Sequence, residues 1–93
     1  LDCKLVVVLG HNHGGAVEAA IKHDPDGHIK YITDDIREAI KEEKDEYIAT
    51  CLNVKHSVKV IEDNTDMKLL EEKGLEVIGA VYHLEDGHVE FLE

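Results

Sequence analysis

Hydrophobic positions follow two different periods along the chain. From Leu5 to Leu9 every residue is β-branched or aliphatic, the pattern of a strand covered on both faces, as parallel sheets require. The run stops at Gly10-His11-Asn12-His13-Gly14-Gly15. Beyond it Ala16, Val17, Ala20 and Ile21 recur at helical spacing to about His23, with Glu18 and Lys22 one turn apart on another face. The segment His23-Asp-Pro-Asp-Gly-His28 reads as loop, because Pro25 and Asp26-Gly27 both break regular structure. Thr33, Asp34 and Asp35 offer N-caps for a second helix through Ile36, Ala39 and Ile40. The charged run Glu42 to Glu46 fits either helix surface or a break. From Tyr47 through Ile48, Cys51, Leu52, Val54, Val58 and Ile61 the pattern predicts a long third helix, whose end Asn64 can cap. Thr65 or Asp66 then opens a short fourth helix through Met67, Leu69 and Leu70, and Gly74 supplies the left-handed stop.

A β pattern returns between Leu75 and Leu84, centred on Val77-Ile78-Gly79-Ala80-Val81-Tyr82. The Asp86-Gly87 pair that follows is a hairpin signal, and His88 to Leu92 alternates as an antiparallel edge strand. The predicted fold class is therefore α/β: a small, mainly parallel sheet, with two parallel strands joined by a right-handed crossover plus a C-terminal antiparallel hairpin strand, and helices packed on it. Residues 1–93 read as a single domain. Three strands are few for four helices, so one face or edge of the sheet is expected to want a partner.

Composition narrows the function classes. With 93 residues, 43% hydrophobic and 33% charged, and one Pro, the chain is that of a folded small domain. Twenty-one acidic against ten basic residues give a formal charge of −11, which repels phosphate backbones and anionic bilayers and so argues against nucleic acid and membrane partners. The longest apolar run is about six residues, short of the roughly 20 needed to span a bilayer. Cys3 and Cys51 are far apart and show no Cys-x-x-Cys spacing, which fits a reducing, cytoplasmic setting better than a disulfide framework. The first residue is Leu and not Met, so the expectation is a truncated domain, either processed or part of a longer product.

Candidate chemistry concentrates where the first strand ends. In open α/β sheets ligands bind beyond the carboxyl ends of the strands, and a helix amino terminus there adds free N–H groups. His11 and His13 form a His-x-His pair, and two imidazoles so spaced in an extended segment can share a face and a metal; the alternative is that both are loop residues. Gly14 and Gly15 open a helix and can hold a small anion, or can simply let the chain turn. Cys3 lies too far along the strand to join His11. Asp24 to His28 carries a fragment of a calcium-loop pattern without its bidentate Glu, which favours a plain turn. His83 and His88 decorate the sheet, and Cys51 falls on the apolar face of the third helix.

The segments Lys4-Leu-Val-Val-Val-Leu-Gly-His11, Gly15-Ala16-Val17, Asn53-Val54 with Ser57-Val58, Leu75-Glu-Val-Ile-Gly-Ala-Val-Tyr82 and Gly87-His-Val-Glu-Phe-Leu92 together resemble the carboxy-terminal half of a β-class carbonic anhydrase. The resemblance is weak between about His23 and Glu46. It implies a zinc enzyme that hydrates CO2 to bicarbonate, with metal held by two Cys and one His, and assembly as homodimers or higher homo-oligomers. His11 takes the place of the family's zinc His. Two departures follow: the second Cys, three residues after that His, falls on Gly14, and the upstream Cys-x-Asp-Ser-Arg motif is absent from these residues. Three functions remain open: a non-catalytic binding or assembly module, a carbonic anhydrase completed by other sequence or a partner chain, and a small His-based metal-binding protein.

Overall fold

A computed structural model describes residues 3–23 and 30–92, and the expected loop at 24–28 lies outside them. The described elements are β1 (Leu5–His11), α1 (Gly15–Lys22), α2 (Lys30–Ile40), α3 (Glu46–Glu62), α4 (Thr65–Glu72), β2 (Glu76–Tyr82) and β3 (Val89–Leu92). They build an α/β fold on one mixed sheet, ordered β1-β2-β3. β1 and β2 run parallel, in register from Leu5 opposite Glu76 to His11 opposite Tyr82. β3 returns antiparallel, with Ala80 opposite Phe91 and Tyr82 opposite Val89.

Helix boundaries follow side-chain capping. Asp45 accepts from the Ile48 N–H at 3.0 Å and starts α3, so the charged run before Tyr47 is a break. Asn64 accepts from the Met67 N–H at 3.1 Å; it caps the start of α4 and not, as expected, the end of α3. Helix α2 already includes Lys30, so Thr33 is not a cap. Its hydroxyl is buried and donates to the Lys30 carbonyl at 3.1 Å, inside the helix. α4 ends at Gly74, whose φ of +104° is the left-handed geometry expected there.

Two layers of packing position the rest. Val17, Ala20, Ile36, Ile40 and Ala49 are buried together where α1, α2 and α3 meet. α3 then lies across the sheet, with Val54 buried against both parallel strands. A Cβ built on Gly10 would stand 2.6 Å from Val54 Cγ2, and one on Gly79 only 2.7 Å from Val54 Cγ1. The two glycines let the helix approach the sheet this closely.

The expectation that the first strand is covered on both faces is corrected. Alternate residues of a strand face opposite sides, and while Val6 and Val8 point toward α3, Leu5, Val7 and Leu9 are 49%, 41% and 57% exposed. Among the described elements the helices pack as a layer on one side of the sheet, through α3. Among the described residues no helix is long and apolar enough to cross a membrane.

Candidate functional site at the end of the first strand

His11 is the last residue of β1, level with Tyr82 at the carboxyl end of β2. Its Nδ1 lies 2.8 Å from the Asn12 carbonyl oxygen. That contact makes Nδ1 the N–H donor and leaves the Nε2 lone pair free, the state in which a histidine binds a metal. His11 also lines a hollow of about 300 Å³ with Gly14, Gly15, Ile36, Thr50 and Asn53.

His13 goes elsewhere. Its backbone turns through the left-handed region, with φ of +56°, so the His-x-His segment is not extended and the two rings do not share a strand face. The ring Nε2 donates instead to Glu85 at 2.9 Å. Between the two histidines Asn12 is buried: its backbone N–H donates to the Tyr82 carbonyl, its Oδ1 accepts from the Leu84 N–H at 2.9 Å, and its amide donates to Glu85. Asn12 thus clips the loop after β1 to the turn after β2. Nothing in the sequence marks this role, because its partners lie 70 or more positions away.

Gly14 is the N-cap of α1, with φ −79° and ψ 127°, a conformation open to any residue. A Cβ there would meet His11 Cε1 at 3.6 Å, an ordinary contact. Neither backbone nor space demands glycine at this position. Gly15 is exposed, with nothing within 4 Å of a built Cβ. No side chain caps α1, and Glu18 places an acidic group in its first turn.

A zinc ion takes four ligands, at least three of them from protein. Among the described residues no group of three or more His, Cys, Asp or Glu side chains is placed to hold a metal. His11 stands ready on one side of the hollow, but Gly14 brings no donor beside it and Cys3 precedes the far end of the strand. These residues alone do not fit the zinc that the resemblance implies.

A second polar cluster occupies the turn between β2 and β3. His83 Nε2 donates to Glu90 at 2.9 Å, and the Tyr47 hydroxyl of α3 donates to the same carboxylate at 2.6 and 2.7 Å. His88 pairs with Asp86 at 2.6 Å, and its ring stacks on His83 at 4.1 Å between centroids. Donors depress the carboxylates: the Tyr47 hydroxyl and then His83 hold Glu90 below its ordinary 4.5, and the His88 backbone N–H and ring hold Asp86 below 3.8. The acceptor in turn pushes the Tyr47 phenol up. A carboxylate whose pKa is depressed by folding contributes stability above its unfolded value and loses it as pH falls through its folded value. The expected result is an acid limb: the melting temperature declines as pH drops below about 4.5, the ordinary glutamate value. Glu90→Gln flattens that limb, and an unchanged slope in calorimetric melts from pH 6 to 3 counts against the Tyr47-Glu90-His83 linkage.

Comparison with known proteins agrees with this geometry. A family model described as carbonic anhydrase matches residues 1–89. Among solved structures, the β-carbonic anhydrase CafA of the fungal pathogen Aspergillus fumigatus superposes with a TM-score of 0.82 at 26% identity, covering 97% of this chain and 49% of its own. The β-carbonic anhydrase CcaA gives 0.74 at 19% identity, covering 96% of this chain and 50% of its own. CafD of the same fungus gives 0.71 at 15% identity, with 97% of this chain and 57% of its own covered. No curated protein matches the sequence. The chain spans about half the length of these solved relatives. A family match over nearly the whole sequence, on a fold shared with CafA, shows that this chain belongs to the β-carbonic anhydrase family.

Proposed function

We propose that these 93 residues form a β-carbonic-anhydrase-like domain that does not hydrate CO2 by itself and serves as a binding or assembly module. The observation that supports this reading is Gly14: beside a histidine with a free Nε2 lone pair, where the family resemblance expects a cysteine, the chain has a residue with no side chain. One imidazole is too few to fix a metal that must polarise water and leave an open position for substrate. The test is CO2 hydration by the purified chain with and without added zinc. The expected rate is that of the buffer, unchanged by His11→Ala; strong zinc-dependent hydration abolished by His11→Ala overturns the reading.

A second reading is supported by the relative lengths. Because the chain spans about half of CafA, residues outside these 93 could complete the site around His11, restoring zinc and the hydration of CO2 to bicarbonate. Co-expression with a polypeptide that carries a Cys-x-Asp-Ser-Arg strand separates the two. Zinc-dependent hydration lost on His11→Ala favours completion, and none favours the module.

A further inference from the structure

A neutral histidine carries one ring proton, and which nitrogen holds it is set by the hydrogen bond the ring makes. Free in water, the ring prefers to hold it on Nε2. In His11 a carbonyl oxygen, which can only accept, lies 2.8 Å from Nδ1. The proton is therefore on Nδ1, against the preference of the free ring. The carbonyl is that of Asn12, the next residue, and it reaches the ring because the Asn12–His13 peptide group is turned back toward it.

Both residues of that peptide group are held from the turn after β2. The buried Asn12 side chain is tied there at two points, its Oδ1 accepting from the Leu84 N–H at 2.9 Å and its amide donating to Glu85. Glu85 leaves the amide no choice of direction. Its carboxyl is held below the ordinary 4.5, first by its own backbone N–H and then by the His13 ring, so at neutral pH it only accepts. His13 stands at φ +56°, a conformation that costs any residue with a Cβ and persists only where the surroundings impose it. The same carboxylate imposes it, through the 2.9 Å contact with the His13 ring. One group from the turn after β2 thus fixes the two residues on either side of the bond that carries the carbonyl.

We propose that Asn12 is a positioning residue for His11: its side chain bridges Leu84 and Glu85, so that its own carbonyl keeps the ring proton on Nδ1 and the Nε2 lone pair open toward an incoming ligand. Partners of this kind, one step behind a histidine, govern how well the other nitrogen donates its lone pair. The inference goes beyond the function proposed above, because the tautomer is set in the metal-free chain. It holds whether or not other residues complete a zinc site, and whether or not CO2 is hydrated. Gly14 removes a donor beside His11, but the presetting of His11 itself remains.

The experiment is long-range proton–nitrogen correlation NMR of the 15N-labelled 93-residue chain at pH 8.5 with a chelator present, the His11 signals being those lost in His11→Gln. An ordinary imidazole is neutral at that pH, so the shifts of its two nitrogens report the tautomer. The expected form is Nδ1–H in the unsubstituted chain and mainly Nε2–H in Asn12→Ala. Asn12→Asp keeps the acceptor for the Leu84 N–H but sets a second carboxylate against Glu85, and it too moves the proton to Nε2. Adding Glu85→Gln to Asn12→Asp exchanges donor and acceptor across the same contact and restores the Nδ1–H form, a return that a role confined to stability would not produce. Circular dichroism shows which variants are folded; if Asn12→Ala is not, Asn12→Asp, which has the shape of asparagine, carries the comparison. An Nε2–H form in the unsubstituted chain overturns the proposal, as does an Nδ1–H form that survives in folded Asn12→Asp. A folded exchange pair that leaves the proton on Nε2 overturns it too.

Discussion

Gly79→Ala lowers the unfolding free energy by about 1–3 kcal/mol, the usual cost of forcing a methyl into a filled contact. For a domain of this size each kcal/mol moves the melting temperature by roughly 4–8 °C, so the effect is plain in a thermal scan. The new Cβ would stand 2.7 Å from Val54 Cγ1. Val54 cannot swing aside: a β-branched side chain in a helix has one strongly preferred rotamer, and its other methyl already covers Gly10. Val54→Ala alone is also destabilising, since it empties a buried site. Combined, the two changes offset one another, because the added methyl enters the space that the valine vacates. The expected coupling is at least about 0.5 kcal/mol, read from denaturant melts of the two single variants and the double variant. Strict additivity would mean that α3 and the sheet can separate without loss, contrary to the packing described.

Gly14→Cys has the opposite character and a larger effect on chemistry. Its Cβ makes ordinary contacts and its backbone suits any residue, so stability changes by no more than about 0.5 kcal/mol. What it adds is a thiolate beside the free Nε2 of His11. Cobalt(II) binding, followed by thiolate-to-metal absorption, is expected to tighten at least tenfold relative to the unsubstituted chain, equivalent to about 1.4 kcal/mol. His11→Ala in the Gly14→Cys background removes the gain. If Gly14→Cys binds cobalt no better than the unsubstituted chain, the position is not where the metal of this family would sit. Gly14 and Gly79 thus differ in kind: one lacks a side chain that would fit, and the other has no room for one.

Most elements could be read from the sequence because local chemistry sets them. The aliphatic run of β1, the Gly74 stop and the return to a β pattern at Val77 all depend on neighbours within a few residues. Errors arose where a local signal had two uses. Asn64 can end one helix or begin the next, and only the Met67 N–H decides. Thr33 reads as a cap but hydrogen-bonds inside a helix. The apolar run of β1 reads as doubly covered, whereas the cover on its second face is not among the described elements. At the site, the place of His11 at a strand end and of Gly14 beside it were legible. The diversion of His13 to Glu85, the Asn12 clip and the Tyr47-Glu90-His83 cluster were not, since the first two depend on β2 arriving beside β1 and the third on α3 meeting the β2-β3 hairpin.

That arrival has a price in time. β1 pairs within the described chain only with β2, about 70 residues later, and such non-local parallel pairing is formed slowly because a long loop must close before any contact rewards it. On the ribosome, β1 emerges ahead of the four helices and waits for β2 until about 70 further residues have been made. α1, α2 and α3 can pair locally in the meantime, and α3 carries the valine that will straddle the strands. The interval before β2 arrives leaves Leu5 to Leu9 open to aggregation and to chaperone capture.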